Sequence, residues 1–178
     1  MARIPFIPAD VKEPKALVDA VRARRGGELL ELDRLLLHSP ALTEGWNFHL
    51  NQVRTKLGVD PRLRELAMCV VAVVNKAEYE FKAHLPLFIK GGGTEEQGKA
   101  LRNPEAALKD TRLFDDAERA VLALTYEMTE HVKVSDATFG AARKALASDK
   151  LLVELVGVVA SYNMVSRFLV AFELHPKE

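Results

Sequence analysis

Three side chains capable of acid–base chemistry, Glu65, Glu80 and His84, fall within one short stretch of the chain. Glu80 and His84 are four residues apart, one turn of helix, so on a helix both project from one face. Imidazole is one of few side chains that titrates near neutrality, and a neighbouring carboxylate can orient it to move a proton. The plainer alternative is a structural ion pair, with Glu80 near a helix N-terminus because the dipole favours an acid there. Glu65 is either a second acid/base facing the same pocket or the partner of Arg62, Arg64 or Lys76. A carboxylate heading so apolar a run needs a partner once enclosed. Cys69, one turn after Glu65, reads as a small core residue amid Ala67, Met68 and Val70, with a peroxidatic thiol as the alternative. Glu80 with His84 supplies too few ligands for a metal site, and no cofactor is expected.

These residues require two helices to hold them. The stretch PRLRELAMCVVAVVNKAEYEFKAHLPLFIKGGG, residues 61–93, predicts a helix opened by Pro61, a joint at Asn75-Lys76-Ala77, and a second helix ended by Gly91-Gly92-Gly93. The apolar run Ala67–Val74 has the composition of a buried strand as well. Its extension back to Leu63 and the lack of a turn signal before Asn75 favour a helix. Ahead of this pair, residues 1–13 with Pro5 and Pro8 read as an extended arm, either packed on a neighbouring subunit or disordered. Helices follow from Pro14, over Leu29–His38, and from Ser39-Pro40 to about Leu57, with Ser39 as cap and His38 at a helix C-terminus. After the glycines, Thr94-Glu95-Glu96-Gln97 predicts a capping box, and residues 104–114 a connector. Three further helices start at Asp115 or Asp116, at Ser135 or Asp136, and at Asp149. The class is all-α, with about eight or nine helices.

Composition narrows the partners. At 178 residues the chain suits one domain, and 48% hydrophobic residues suffice for its core. Lys+Arg and Asp+Glu both total 25, which argues against nucleic acid as a partner. The cluster Arg22-Ala23-Arg24-Arg25 closes a helix at its negative end. One cysteine excludes a disulfide framework or a CxxC motif within the chain. No signal-peptide core is present at the N-terminus, and no apolar run reaches the roughly 18 residues of a membrane span. A cytoplasmic location is expected.

Residues 61–97 resemble the carboxymuconolactone decarboxylase / alkylhydroperoxidase D superfamily. Its redox members carry a glutamate, eleven residues, then Cys-x-x-Cys-x-x-x-His; here Glu65 is followed by eleven residues and Ala77-x-x-Glu80-x-x-x-His84. The phrases ELAMCVVAVVN, EYEFKAH and SYNMVSRFLVAF extend the likeness from about Arg24 onward. The resemblance implies a helical fold over residues 1–178, assembly into trimers or hexamers, and a pocket near Glu65 and His84 close to a subunit interface. The family's thiol peroxidase chemistry does not carry over, because Ala77 and Glu80 occupy both cysteine positions. The activity implied is that of a cofactor-independent lyase on a small carboxylated or lactone substrate. His84 is then the general acid, Glu80 its orienting partner and Glu65 a second proton-handling group, in a dry pocket walled by Val70, Val74 and Phe81. An antioxidant protein using Cys69 with an external thiol and a non-catalytic oligomer of the same fold are the alternatives. Arg167 is a candidate cation for an anionic substrate, or a stem lying on apolar surface.

Overall fold

The computed structural model describes residues 2–176, and ten α-helices lie among them. The described residues divide into two compact units, 2–57 with 171–175, and 58–170 with 176. In the first unit, Lys15–Arg25 (α1), Glu31–Leu36 (α2) and Pro40–Thr55 (α3) are the helices. The basic last turn of α1 is used as expected at a negative helix end, and its guanidiniums also reach further. Arg24 and Arg25 both bond the buried carboxylate of Asp33, at 3.3 and 2.9 Å.

The arm, of which Met1 lies outside the described residues, is extended and is not the disordered tail that was one expectation for it. It is tied to its own unit. Arg34 donates through Nε to the Ile7 carbonyl at 2.6 Å, and Arg22 donates to the carbonyls of Ala9 and Val11. His38 is taken up here: its Nε2 lies 2.8 Å from the Pro5 carbonyl instead of on its own helix end. Ser39 makes no side-chain cap; its carbonyl accepts from the Thr43 amide and hydroxyl.

In the second unit Pro61–Val74 (α4) is the central helix, packed against Glu78–Lys90 (α5) and Asp116–Glu130 (α8). The run that is strand-like in composition is helical because both ends are fixed locally. Asp60 accepts from the amides of Arg62 and Leu63, and Pro61 fills the first helical position. At the other end, the Ala77 amide bonds the Ala72 carbonyl and the Lys76 amide bonds Val73, with Lys76 left-handed at φ 59°. This closing motif turns the chain from α4 into α5 within three residues.

Glu95–Ala100 (α6) starts with the expected capping box, Thr94 against Gln97. Residues 104–114, expected to be a connector, contain a one-turn helix, Pro104–Ala107 (α7), capped by Asn103. That turn accounts for ten helices in place of the eight or nine expected. Asp115 caps α8 and Ser135 caps Asp136–Ala145 (α9). Asp149–Ala171 (α10) is long and apolar enough to cross a membrane by length and composition, but half of its apolar window is buried inside the protein. Its Asn163 joins α4 to α8, accepting from Asn75 at 3.0 Å and donating to Thr129 at 3.0 Å.

The glycines after α5 are more than a helix stop. Gly92 has φ 108°, which side chains rarely adopt, and a Cβ on Gly93 would lie 2.5 Å from the ring of Phe88. Phe88 is fully buried, so its ring cannot yield. Gly93→Ala is therefore expected to cost about 1–3 kcal/mol in urea unfolding through overpacking.

Candidate functional site

Glu65 sits in the second turn of α4 and His84 in the second turn of α5, and the tight joint between the helices brings them face to face. His84 Nδ1 lies 2.7 Å from Glu65 Oε2, with both side chains about one-twentieth exposed. Arg64 donates to the other oxygen of Glu65 from Nη2 at 3.2 Å and from Nε at 3.3 Å. Tyr162 of α10 packs edge-on against the imidazole, ring centroids 4.9 Å apart. The imidazole is thus held at its Nδ1 edge by a carboxylate and on one side by an aromatic ring.

This changes the pairing expected from spacing. Glu80 is one turn before His84, yet it is Glu65 that bonds His84 Nδ1, and neither oxygen of Glu80 has a hydrogen-bond partner. A helix face is broad, and Glu65 reaches across from the facing helix to the ring edge.

Four carboxylates are buried among the described residues: Asp33, Glu65, Glu80 and Glu118. Asp33 has two arginines; Glu65 has Arg64 and His84; Glu118 accepts from Gln97 and the Asp115 amide. Glu80 stands apart in lacking any such bond, at 2% exposure. Burial pushes its carboxyl well above the usual carboxylate range. Burial therefore favours the protonated form of Glu80, an acid enclosed in the protein.

Cys69, one turn after Glu65 on α4, is fully buried. Burial first, then the negative charges of Glu65 and Glu80, push its thiol far up, with Arg102 opposing. A thiol so placed is not a ready nucleophile. Val70 and Phe81, two of the expected wall residues, are buried, and Val74 is half-buried.

Arg102, just past α6, had no signal in the sequence. Its guanidinium lies 3.7 Å above the centre of the Phe81 ring and takes Glu78 in a fork, at 2.5 and 2.9 Å. The fork holds the Glu78 carboxyl below its usual range. Arg167, the expected candidate cation, is instead turned onto the carbonyl and side chain of Asn163. Tyr162 lies in the phrase SYNMVSRFLVAF that carries the resemblance, but no role for its ring follows from the sequence. Two clefts of the same unit lie elsewhere: about 750 Å³ beside Tyr126, His131 and Lys133, and about 460 Å³ beside Arg62, Gln97 and Arg112. Glu65, Glu80 and His84 line neither. Among the described residues no three His, Cys, Asp or Glu side chains are grouped to hold a metal ion.

Residues 40–127 match the model of the Carboxymuconolactone decarboxylase family, which places this part of the chain in that family. The match includes Glu65, Cys69, Glu80, His84 and Arg102, and ends before α10 with Tyr162. No curated protein matches the chain. Solved structures share the fold at low identity. A protein of unknown function from Agrobacterium tumefaciens, described as a candidate antioxidant defence protein AhpD, is 20% identical, with a TM-score of 0.72 over 81% of this chain and 97% of that one. A Cys-to-Ala form of the debrominase Bmp8, in complex with 2,3,4-tribromopyrrole, is 13% identical, with a TM-score of 0.81 over 99% and 94%. An uncharacterised peroxidase-related protein from Silicibacter sp. TM1040 is 17% identical, with a TM-score of 0.78 over 98% and 90%.

The proton on Glu80 makes stability depend on pH. Its folded value is raised above the unfolded one, so the stabilising contribution is complete below the ordinary carboxylate value and is lost as pH rises through the raised value. Glu80→Gln keeps the shape and removes the titration. It is expected to match the wild type in melting temperature near pH 4. Near pH 8 it should melt about 2–4 °C higher, the size of a ~1 kcal/mol effect in a chain of this length.

Proposed function

We propose that the chain, proceeding from its membership of the carboxymuconolactone decarboxylase family over residues 40–127, is a cofactor-independent lyase acting on a small carboxylated or lactone substrate. The observation that carries this reading is a buried, unpaired Glu80, its protonated form favoured by that burial, one turn from an imidazole bonded by Glu65. In a decarboxylation the bond between the ring carbon and the carboxylate breaks, and carbon dioxide leaves. The electron pair passes into the adjacent unsaturated lactone as an enolate, and one proton must be delivered to carbon. Glu80 holds that proton in dry surroundings, where electrostatic interactions with the developing charge are strong.

Glu65, as a carboxylate, accepts from His84 Nδ1 and leaves Nε2 as the nitrogen that exchanges a proton. His84 then restores the proton to Glu80 after each turnover. The roles differ from those the spacing suggested: Glu65 orients the imidazole, and Glu80 is the acid. Arg64 and Tyr162 support the pair.

A specific observation also favours the non-catalytic reading, since Glu65 is held between Arg64 and His84 as a purely structural ion pair would be. The antioxidant reading has weaker support, with Cys69 enclosed and its thiolate disfavoured. The two are separated by carbon dioxide release from γ-carboxymuconolactone. The lyase reading expects release by the wild type, with Glu80→Gln and His84→Ala each lowering kcat by about 10²–10⁴-fold. Activity should fall as pH rises through the raised Glu80 value. No release by the wild type, or full turnover by both variants, would remove it.

The same reading includes a homo-oligomer, trimeric or hexameric, and a cytoplasmic location. Support for assembly comes from apolar side chains left in solvent, among them Val153 at 70% and Phe48 at 68% exposure. Light scattering on the eluting protein is expected to give a mass three or six times that of the chain. A monomer would contradict it.

A further inference from the structure

Arg102 is a cation presented at the edge of the buried site with an exchangeable partner. Its side chain is 48% exposed and that of Glu78 40%, while Phe81 beneath it is 1% exposed. The buried ring is a fixed platform for the guanidinium, which keeps its place by cation–π attraction whatever its fork holds. Glu80, next to Phe81 in sequence, is the buried acid, and Arg102 is close enough to Cys69 to act on its thiol electrostatically. The fork points at one carboxylate only, and a planar guanidinium is matched to that group in particular.

We propose that Arg102 is the anchor for the carboxylate of a small monoanionic ligand, and that Glu78 occupies it as an internal stand-in when no ligand is bound. This rests on the lyase reading for the identity of the site, although binding can be measured without turnover. Exchanging one carboxylate for another leaves the charge and both hydrogen bonds of the fork unchanged. The Glu78–Arg102 pair is half in solvent and so is weakly held. Glu78 also has a second place to go. Lys82 lies one turn further along α5, is exposed, and already acts electrostatically on the Glu78 carboxyl. Displacement therefore transfers Glu78 from one cation to another, and the ligand inherits a guanidinium already seated on the ring of Phe81.

The stand-in makes an unusual demand on mutants: removing the charge of Glu78 must improve binding, because it removes a competitor. The probe is 2-furoate, a flat five-membered ring bearing one carboxylate, with methyl 2-furoate as its uncharged counterpart, titrated by calorimetry into the full-length protein. The wild type is expected to bind 2-furoate and not the ester. Arg102→Ala should weaken binding at least about tenfold, Arg102→Lys less so, and Glu78→Gln should tighten it about two- to fivefold. Circular dichroism and melting temperature establish that each variant is folded; should Arg102→Ala fail to fold, Glu78→Gln alone decides. Equal binding by Arg102→Ala, unchanged or weaker binding by Glu78→Gln, or no binding of 2-furoate by the wild type would each overturn the proposal. Binding with this mutant pattern but no carbon dioxide release would instead sink the lyase reading and leave the anchor standing.

Discussion

An ionised carboxylate cannot be enclosed in an apolar interior without a compensating charge, and two glutamates are enclosed here within one pair of helices. The chain meets the constraint in two different ways. Glu65 stays paired, between the guanidinium of Arg64 and the imidazole of His84. Glu80 has neither cation nor hydrogen-bond donor, so its burial favours the protonated form.

The remainder of this unit follows from holding α4 and α5 in register. Asp60 and Pro61 set where α4 begins, and the left-handed Lys76 sets where it ends. A slip of one residue would turn Glu65 about 100° around α4 and separate it from His84. The bond from Asn75 to Asn163 fastens the same joint to α10, the helix that also supplies Tyr162 to the imidazole. Thus the helix end, the buried amide pair and the aromatic contact all bear on the position of one ring.

Much of this was legible beforehand. Patterning and punctuation predict α4, α5 and the all-α class, because Pro61 and the three glycines act locally and the apolar run is too long to leave exposed. Spacing marks Glu65, Glu80 and His84 as members of one site. It does not say which pairs with which, since i,i+4 describes neighbours along one helix and the decisive bond crosses between two. The parts of Arg102 and Tyr162 were hidden for the same reason: each comes to Phe81 or His84 through tertiary packing from a distant element. The arm and His38 show the converse. Prolines mark extended chain, but what pins it down are carbonyls accepting from Arg22, Arg34 and His38, which no periodicity records.

Family membership and low-identity fold likeness leave open what the site does, and the proposed activity rests on a Glu80 that is buried without a hydrogen-bond partner. The most direct test is the infrared difference spectrum between wild type and Glu80→Gln at pH 7, with ¹³C-labelled glutamate to identify the band. The account predicts an isotope-sensitive carbonyl stretch of a protonated carboxylic acid in the wild type that is missing from the variant. A difference confined to the carboxylate stretches would show Glu80 ionised in the folded protein and would contradict it.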